Sequence, residues 1–310
     1  MVSTQLPGSS AFTVIPQTSE LPQNTAELRS RIDGALSGFS DFSKDCPRKL
    51  RDAIRYSLLA PGKRLRPLLV LWATDACNGS IEAAMPAACA VEMVHAYSLV
   101  HDDLPAMDND DLRRGMPTCH KKFGEAIAVL AGDALLALAF QTIAEGVRPC
   151  EKAAACCRVL AEAAGPCRLV GGQADDIEGF GVPLDVQALE SNHRRKTGAL
   201  IEAAMRLGAL VAGADLRDTD ALVEYGRQVG LAFQISDDLL DVRGNEATAG
   251  KRLGKDSGKG RTTFPGLLGI DESMRRAEEL VEAACRALEP FGARARNLEC
   301  LAGYIVERNR

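Results

Sequence analysis

Residues 83–100 read AAMPAACAVEMVHAYSLV, and 101–111 continue as HDDLPAMDNDD. The first stretch is apolar on nearly every side of a 3.6-residue period, which predicts a helix buried inside a bundle. The second gathers Asp102, Asp103, Asp108, Asp110 and Asp111 at the end of that helix. Residues 198–212 repeat the all-round apolar pattern, and GLAFQIS (230–236) runs into a second acidic cluster at Asp237, Asp238 and Asp241. The chain places its acid where its most apolar helices end.

Working outward, alanine and leucine dominate from Thr25 on, apolar residues recur at spacings of three and four, and no stretch keeps strand alternation. Pro47, the pair Pro61-Gly62, and Gly115 with Pro117 punctuate the pattern. The expected helices are 25–38, 47–60, 66–77, 81–103, 124–145, 151–164, 167–178, 185–212, 217–242, 272–288 and 293–308. This is an all-α fold, a bundle of ten or more helices. Residues 1–23, rich in Pro, Ser and Thr, form a flexible tail, and 24–310 form a single domain.

The composition narrows the function classes. Of 310 residues, 46% are hydrophobic and 25% charged, which suits a folded core rather than a disordered chain. The net charge of -5 leaves no basic excess to neutralise a nucleic-acid backbone. With only four histidines, catalysis by several imidazoles has little material. The ten cysteines fall mostly in helix-like segments with no C-x-x-C, as expected of small buried side chains in a reducing cytoplasm. No Lys or Arg precedes Arg29, unlike a secretory or transit leader. The longest apolar stretch, 126–140, is interrupted by Gly132 and Asp133, so no membrane span is expected.

Clustered carboxylates repel unless a cation neutralises them. Asp237 and Asp241 are four apart and share a helix face, with Asp238 beside them. Asp102 and Asp108 are six apart, but Pro105 between them should end the helix and let Asp108 fold back. Oxygen-only donors suit Mg²⁺, which takes one or two carboxylates and completes its shell with phosphate and water. Two acidic walls around Mg²⁺ imply a ligand more negative than either, a diphosphate. Basic residues fit that ligand: Lys63, Arg64 and Arg66 at 62–67, the pair Arg113-Arg114, Lys196, and Lys255 in a Gly/Lys-rich loop.

These motifs, GKRLRP (62–67), HAYSLVHDDLPAMDNDDLRRG (95–115), GGQADD (171–176), KTG (196–198), FQISDDLLD (233–241) and LGK (253–255), resemble those of the trans-isoprenyl diphosphate synthases, or polyprenyl synthetases, most nearly the bacterial farnesyl type. The resemblance runs from about residue 25 to the C-terminus. It implies Mg²⁺-dependent head-to-tail condensation of isopentenyl diphosphate with dimethylallyl or geranyl diphosphate, giving farnesyl diphosphate. It also implies a homodimer and three Mg²⁺ per site, with Mn²⁺ as a substitute. Asp102, Asp103, Asp108, Asp237, Asp238 and Asp241 would be the two aspartate motifs, with Asp102, Asp108 and Asp237 on the metals and Asp103 and Asp241 as further candidates. Arg113, Lys196 and Lys255 would bind the allylic diphosphate, and Lys63, Arg66, His95 and Arg114 that of isopentenyl diphosphate. Thr197 and Gln234 would turn oxygen dipoles toward the allylic cation, with Gln173 and Asp176 along the same cavity.

The chain departs from the family pattern in two places. Arg261 stands where a lysine is common, and the C-terminus is Arg310 rather than lysine. His101, His120 and His193 are expected to be ordinary packing residues, His120 being the weakest of site candidates. Tyr97, five residues before Asp102 and roughly 7.5 Å away along a helix, would floor the chain-elongation pocket together with Ser98 and set a fifteen-carbon product. A geranylgeranyl diphosphate synthase is the alternative within the class. Outside it stands a non-catalytic regulatory subunit, disfavoured because both aspartate motifs are kept, as is a terpene cyclase by the second DDxxD. A plain phosphate-binding helical module leaves the two opposed acid clusters unexplained.

Overall fold

The computed structural model describes residues 22, 24–179, 185–243 and 262–308. Helix follows helix: α1 (Thr25–Phe39), α2 (Arg48–Leu58), α3 (Leu65–Ala76), α4 (Ile81–Asp102), α5 (Cys119–Phe123), α6 (Glu125–Gly146) and α7 (Cys150–Ala164). After them come α8 (Leu169–Glu178), α9 (Val186–His193), α10 (Ala199–Ala212), α11 (Leu216–Arg243), α12 (Phe264–Leu268), α13 (Ile270–Ala287) and α14 (Arg296–Glu307). Local chemistry sets many of these ends. Ser80 caps α4 by accepting from the Ala83 amide at 3.2 Å, and Asp185 caps α9 through Ala188 at 2.7 Å. Gly213, in the left-handed region at φ 80°, closes α10.

The two segments that are apolar all round form the middle of the bundle. Helix α10 packs against α3, α4, α7 and α11, while α4 packs against α3 and α6. Their alanines and glycines let these axes approach, and larger side chains such as Trp72, Tyr225 and Phe264 fill the remaining volume completely buried. Burial of α4 along its length leaves its C-terminal acids at the end of a rigid, packed rod. The same logic carries Asp237, Asp238 and Asp241 near the end of α11.

The structure corrects four readings. The helix expected over 185–212 is broken at Arg194–Gly198 by a π-turn joining α9 to α10. Residues 112–117 form a two-stranded ribbon, β1 (Leu112–Arg113) and β2 (Met116–Pro117), too short to show any alternation. Two of the ten cysteines, Cys150 and Cys167, are exposed; all ten are free. Finally, α6 runs unbroken through Gly132 and Asp133; α4 and α6 are long and apolar enough to cross a membrane by length and composition alone, as a core helix also is, and α4 is mostly buried inside the bundle. Within α6, Gly132 receives the His101 ring against its bare backbone, and Asp133 is exposed.

Candidate active site

The first acidic wall forms as the chain turns back on α4. The Asp108 amide donates to the Asp102 carbonyl at 2.9 Å, and Asn109 takes a left-handed φ of 52° with its amide on the Leu104 carbonyl. Asp108 therefore returns beside Asp102, as Pro105 led one to expect. Asp103 is buried, and both its oxygens accept from Arg113 at 2.7–2.9 Å. The ribbon aims that arginine. Arg114 and Gly115, at φ 52° and 76°, form the two-residue turn between β1 and β2, which matches the strand twist. Arg114 then reaches back to donate to the Pro61 carbonyl at 2.7 Å.

The second wall lies on α11, and the π-turn ties it to α8. Thr197 Oγ1 donates to Gln234 Oε1 at 3.1 Å, and Gln234 Nε2 donates to Asp238 at 3.0 Å. A carboxylate only accepts, so Asp238 fixes which way the Gln234 amide faces. The other Asp238 oxygen accepts from the Phe264 amide at 3.1 Å. Asp238 thus works inward as a positioning group. Lys196 and Asn192 both bond Asp176 on α8. Two close approaches make this junction possible: a Cβ at Gly172 would lie 2.8 Å from the Lys196 amide, and one at Gly230 would lie 3.2 Å from Gly198.

Nothing in the sequence singles out Arg308 or His193, yet both reach this wall. Arg308 donates to Asp237 at 2.7 Å and to Ser236 Oγ at 2.7 Å, with its guanidinium 4.5 Å above the Phe233 ring. His193 stacks on Phe264 and sits 3.9 Å from Asp238. No short-range motif could reveal an Arg–Asp pair 71 residues apart. His120 is buried with Nδ1 3.1 Å from Thr118 Oγ1, and its Nε2 has no hydrogen-bond partner among the described residues.

The basic cluster gathers near His95. Burial holds its imidazole well below the usual range, and Arg66, Arg114, Arg113 and Arg64 reinforce the effect. Arg66 Nε is buried and has no hydrogen-bond partner among the described residues. Gly62 leaves the space that the Arg114 guanidinium occupies, 2.5 Å from where a Cβ would be. Arg64 differs from its neighbours: it is spent on Asp33 at 2.7 Å and on buried Glu92 at 2.9 Å, so its role is structural. Lys63 is exposed, 5.9 Å from the Tyr304 ring. Like charges gathered this closely are unfavourable alone and suit an anion of high charge.

A cavity of about 240 Å³ opens beside Asp102, lined by Tyr97, Ser98, His101, Met107, Leu169 and Gln173 among others. Gln173 Oε1 is buried there without a partner among the described residues. Tyr97, 7% exposed, stands between this space and the core. Most of the lining is apolar, with Ser98, His101, Asp102 and Gln173 the strongly polar members.

Among the described residues no three acidic or imidazole groups close on one point, so neither wall is a protein-only metal cage. The donor set still fits Mg²⁺, which needs only one or two carboxylates from each wall when phosphate oxygens complete the shell. Burial pushes the Asp102 carboxyl up to about 6, opposed by Lys196 and reinforced by Asp108. Above that pH the folded metal-free protein carries a charge that the unfolded chain holds more cheaply; below the ordinary carboxylate range the penalty is gone. Asp102→Asn should therefore raise the metal-free melting temperature at pH 7.5 by roughly 5 °C. The gain should vanish by about pH 4. Equal melting temperatures at pH 7.5 in scanning calorimetry would contradict the burial of this charge.

With two acid walls, the Thr197–Gln234–Asp238 chain and a separate basic cluster assembled, comparison with known proteins is decisive. A family model described as polyprenyl synthetase matches residues 47–291. The chain belongs to the polyprenyl synthetase family. It is 47% identical over 299 residues to the farnesyl diphosphate synthase of Escherichia coli K12, covering 94% of this chain and 100% of that one. It is 45% identical over 266 residues to the geranylgeranyl diphosphate synthase of Cyanophora paradoxa, covering 85% and 89%. The apo crystal structure of an FPP/GFPP synthase from Zymomonas mobilis superposes with a TM-score of 0.82 at 39% identity, over 91% of this chain and 97% of that one. The all-α fold of the polyprenyl synthetases is therefore the fold of this chain. Three residues that the family pattern draws attention to, Lys255, Arg261 and Arg310, lie outside the described residues.

Proposed function

We propose that the chain is a farnesyl diphosphate synthase, joining isopentenyl diphosphate head-to-tail first to dimethylallyl and then to geranyl diphosphate. The observation that supports this reading is an acidic wall at Asp102 and Asp108 opening on a mostly apolar cavity lined by Tyr97, with a second wall on α11 whose Asp238 turns Gln234 and Thr197. Asp102, Asp108 and Asp237 are the metal ligands, with Asp241 beside them. Three Mg²⁺ per site are expected, Mn²⁺ substituting. When bound, Mg²⁺ neutralises the allylic diphosphate and lowers the cost of the charge it takes on leaving.

The chain's own residues do the rest. Arg113, Lys196 and Lys255 hold the allylic diphosphate; Lys63, Arg66, His95 and Arg114 hold that of isopentenyl diphosphate. The allylic C–O bond breaks with its electron pair going to the diphosphate. Thr197 and Gln234, turned by Asp238, present oxygen dipoles to the carbon left positive. The double bond of isopentenyl diphosphate then supplies the electrons of the new C–C bond, and the departing diphosphate takes the proton released. No protein base with a tuned pKa is needed. Gln173 and Asp176 line the approach, Asp176 by orienting Lys196.

Tyr97 favours the fifteen-carbon product over the geranylgeranyl alternative, and retention of both aspartate clusters favours an enzyme over a regulatory subunit. We further read the chain as a cytoplasmic homodimer. Ten free cysteines, four of them buried, suit a reducing compartment. A second copy would cover the outward face of α6, where Val129 and Leu130 are 40% and 51% exposed. Incubation with isopentenyl and geranyl diphosphates should release inorganic diphosphate with Mg²⁺ and none with EDTA. Absence of release with Mg²⁺ present rejects the enzyme reading.

A further inference from the structure

We propose that His101 and Gly132 buttress the product-length floor from its side: the imidazole, seated on the bare backbone of Gly132, holds the edge of the Tyr97 ring across the bottom of the cavity. The inference rests on the reading of Tyr97 as that floor. His101 lies one helical turn after Tyr97 on α4, and the two rings meet edge-on at 5.5 Å and 88°. Both line the cavity. On its far side the imidazole leaves α4 altogether: Nε2–H donates to the Val129 carbonyl of α6 at 3.1 Å. That bond fixes the ring plane and places the proton on Nε2.

Gly132 is what allows this seat. A Cβ there would fall 2.1 Å from Nε2 and 2.4 Å from Cδ2 of His101, closer than any real contact. Only glycine lets the imidazole reach the α6 backbone. The contact explains why glycine, a poor helix former, stands in the middle of a 22-residue helix. A tyrosine side chain has a free χ1 and χ2, and a ring beneath a growing hydrocarbon tail would swing aside unless its edge were blocked. His101 supplies the block, and α6 anchors it. Product length is thus set from two helices, and His101 acts as a positioning residue through Tyr97.

The test is product analysis with dimethylallyl diphosphate and radiolabelled isopentenyl diphosphate on the full chain, comparing wild type, His101→Ala, Gly132→Ala, Tyr97→Ala and the double variant His101→Ala/Tyr97→Ala. His101→Ala and Gly132→Ala should each raise the ratio of twenty- to fifteen-carbon product about fivefold or more, since each releases the Tyr97 edge. The double variant should match Tyr97→Ala alone, because the histidine has nothing left to hold. If Tyr97→Ala lengthens the product while His101→Ala and Gly132→Ala keep the wild-type ratio, this inference is overturned and the Tyr97 floor stands. If Tyr97→Ala also leaves the ratio unchanged, the floor reading fails and the inference with it. Should His101→Ala not fold, Gly132→Ala and His101→Gln carry the same comparison.

Discussion

Asp102→Ala and Asp237→Ala should each lower kcat by at least ~10³-fold, about 4 kcal/mol of transition-state stabilisation. The leaving diphosphate gathers charge as the allylic bond breaks, so cations held against it act in the transition state more than in the ground state. Each wall supplies part of the hold: Asp102 and Asp108 at the end of α4, Asp237 and Asp241 on α11. Losing either wall should leave the diphosphate clamped on one side only. The fold should survive, because Asp102 is a buried charge that costs stability and Asp237 is partly exposed. Asp111→Asn is the control. Asp111 belongs to the same acidic run but is exposed and paired with Lys121 at 2.8 Å, so its loss should change kcat by less than about twofold. Steady-state kinetics at saturating Mg²⁺ would show this, and near-normal turnover in either alanine variant would sink the metal assignment.

Tyr97→Ala should make the twenty-carbon product dominant while the enzyme goes on condensing isopentenyl diphosphate. Tyr97 is five residues, roughly 7.5 Å of helix, below Asp102, where the proposed reaction places the reacting carbon. The ring lines the cavity that opens beside Asp102 and is itself buried against the core, and this burial, with the Asp102 carboxylate adding to it, raises its phenol pKa. Removing it extends the apolar cavity downward without touching a charged group. The change also removes core packing, at a cost of about 3 kcal/mol, so a lower melting temperature should accompany the longer product. Tyr97→Phe keeps the ring and should keep the fifteen-carbon product. Radiolabelled chain-length analysis separates these outcomes; a wild-type profile for Tyr97→Ala would remove the ring from product control.

The bundle and both acid walls were legible in the sequence because each depends on short-range pattern. Runs that are apolar on nearly every side define α4 and α10, and Pro47 and the Pro61-Gly62 pair bracket α2. Asp102 and Asp108 could be brought together on paper because Pro105 lies between them. The π-turn at Arg194–Gly198 was not legible, since HRRKTG carries no helix breaker before its glycine and the bulge arises from packing on α8 and α11. The Arg114-Gly115 turn was hidden for the opposite reason: strands of two residues have no period to read. Arg308 and His101 act through contacts with Asp237 and Gly132, far along the chain, and no local pattern reports those. Asp103 and Asp238 look equivalent to their neighbours in sequence, yet the structure turns one to Arg113 and the other to Gln234 and Phe264.

The central claim is that two acid walls grip one diphosphate through Mg²⁺. Calorimetric titration with an unreactive thiolo analogue of geranyl diphosphate tests it without turnover. Binding should require Mg²⁺ and weaken by at least ~100-fold, about 2.7 kcal/mol, in Asp102→Ala and in Asp237→Ala alike. Tight binding in EDTA, or undiminished binding after loss of either wall, would contradict it.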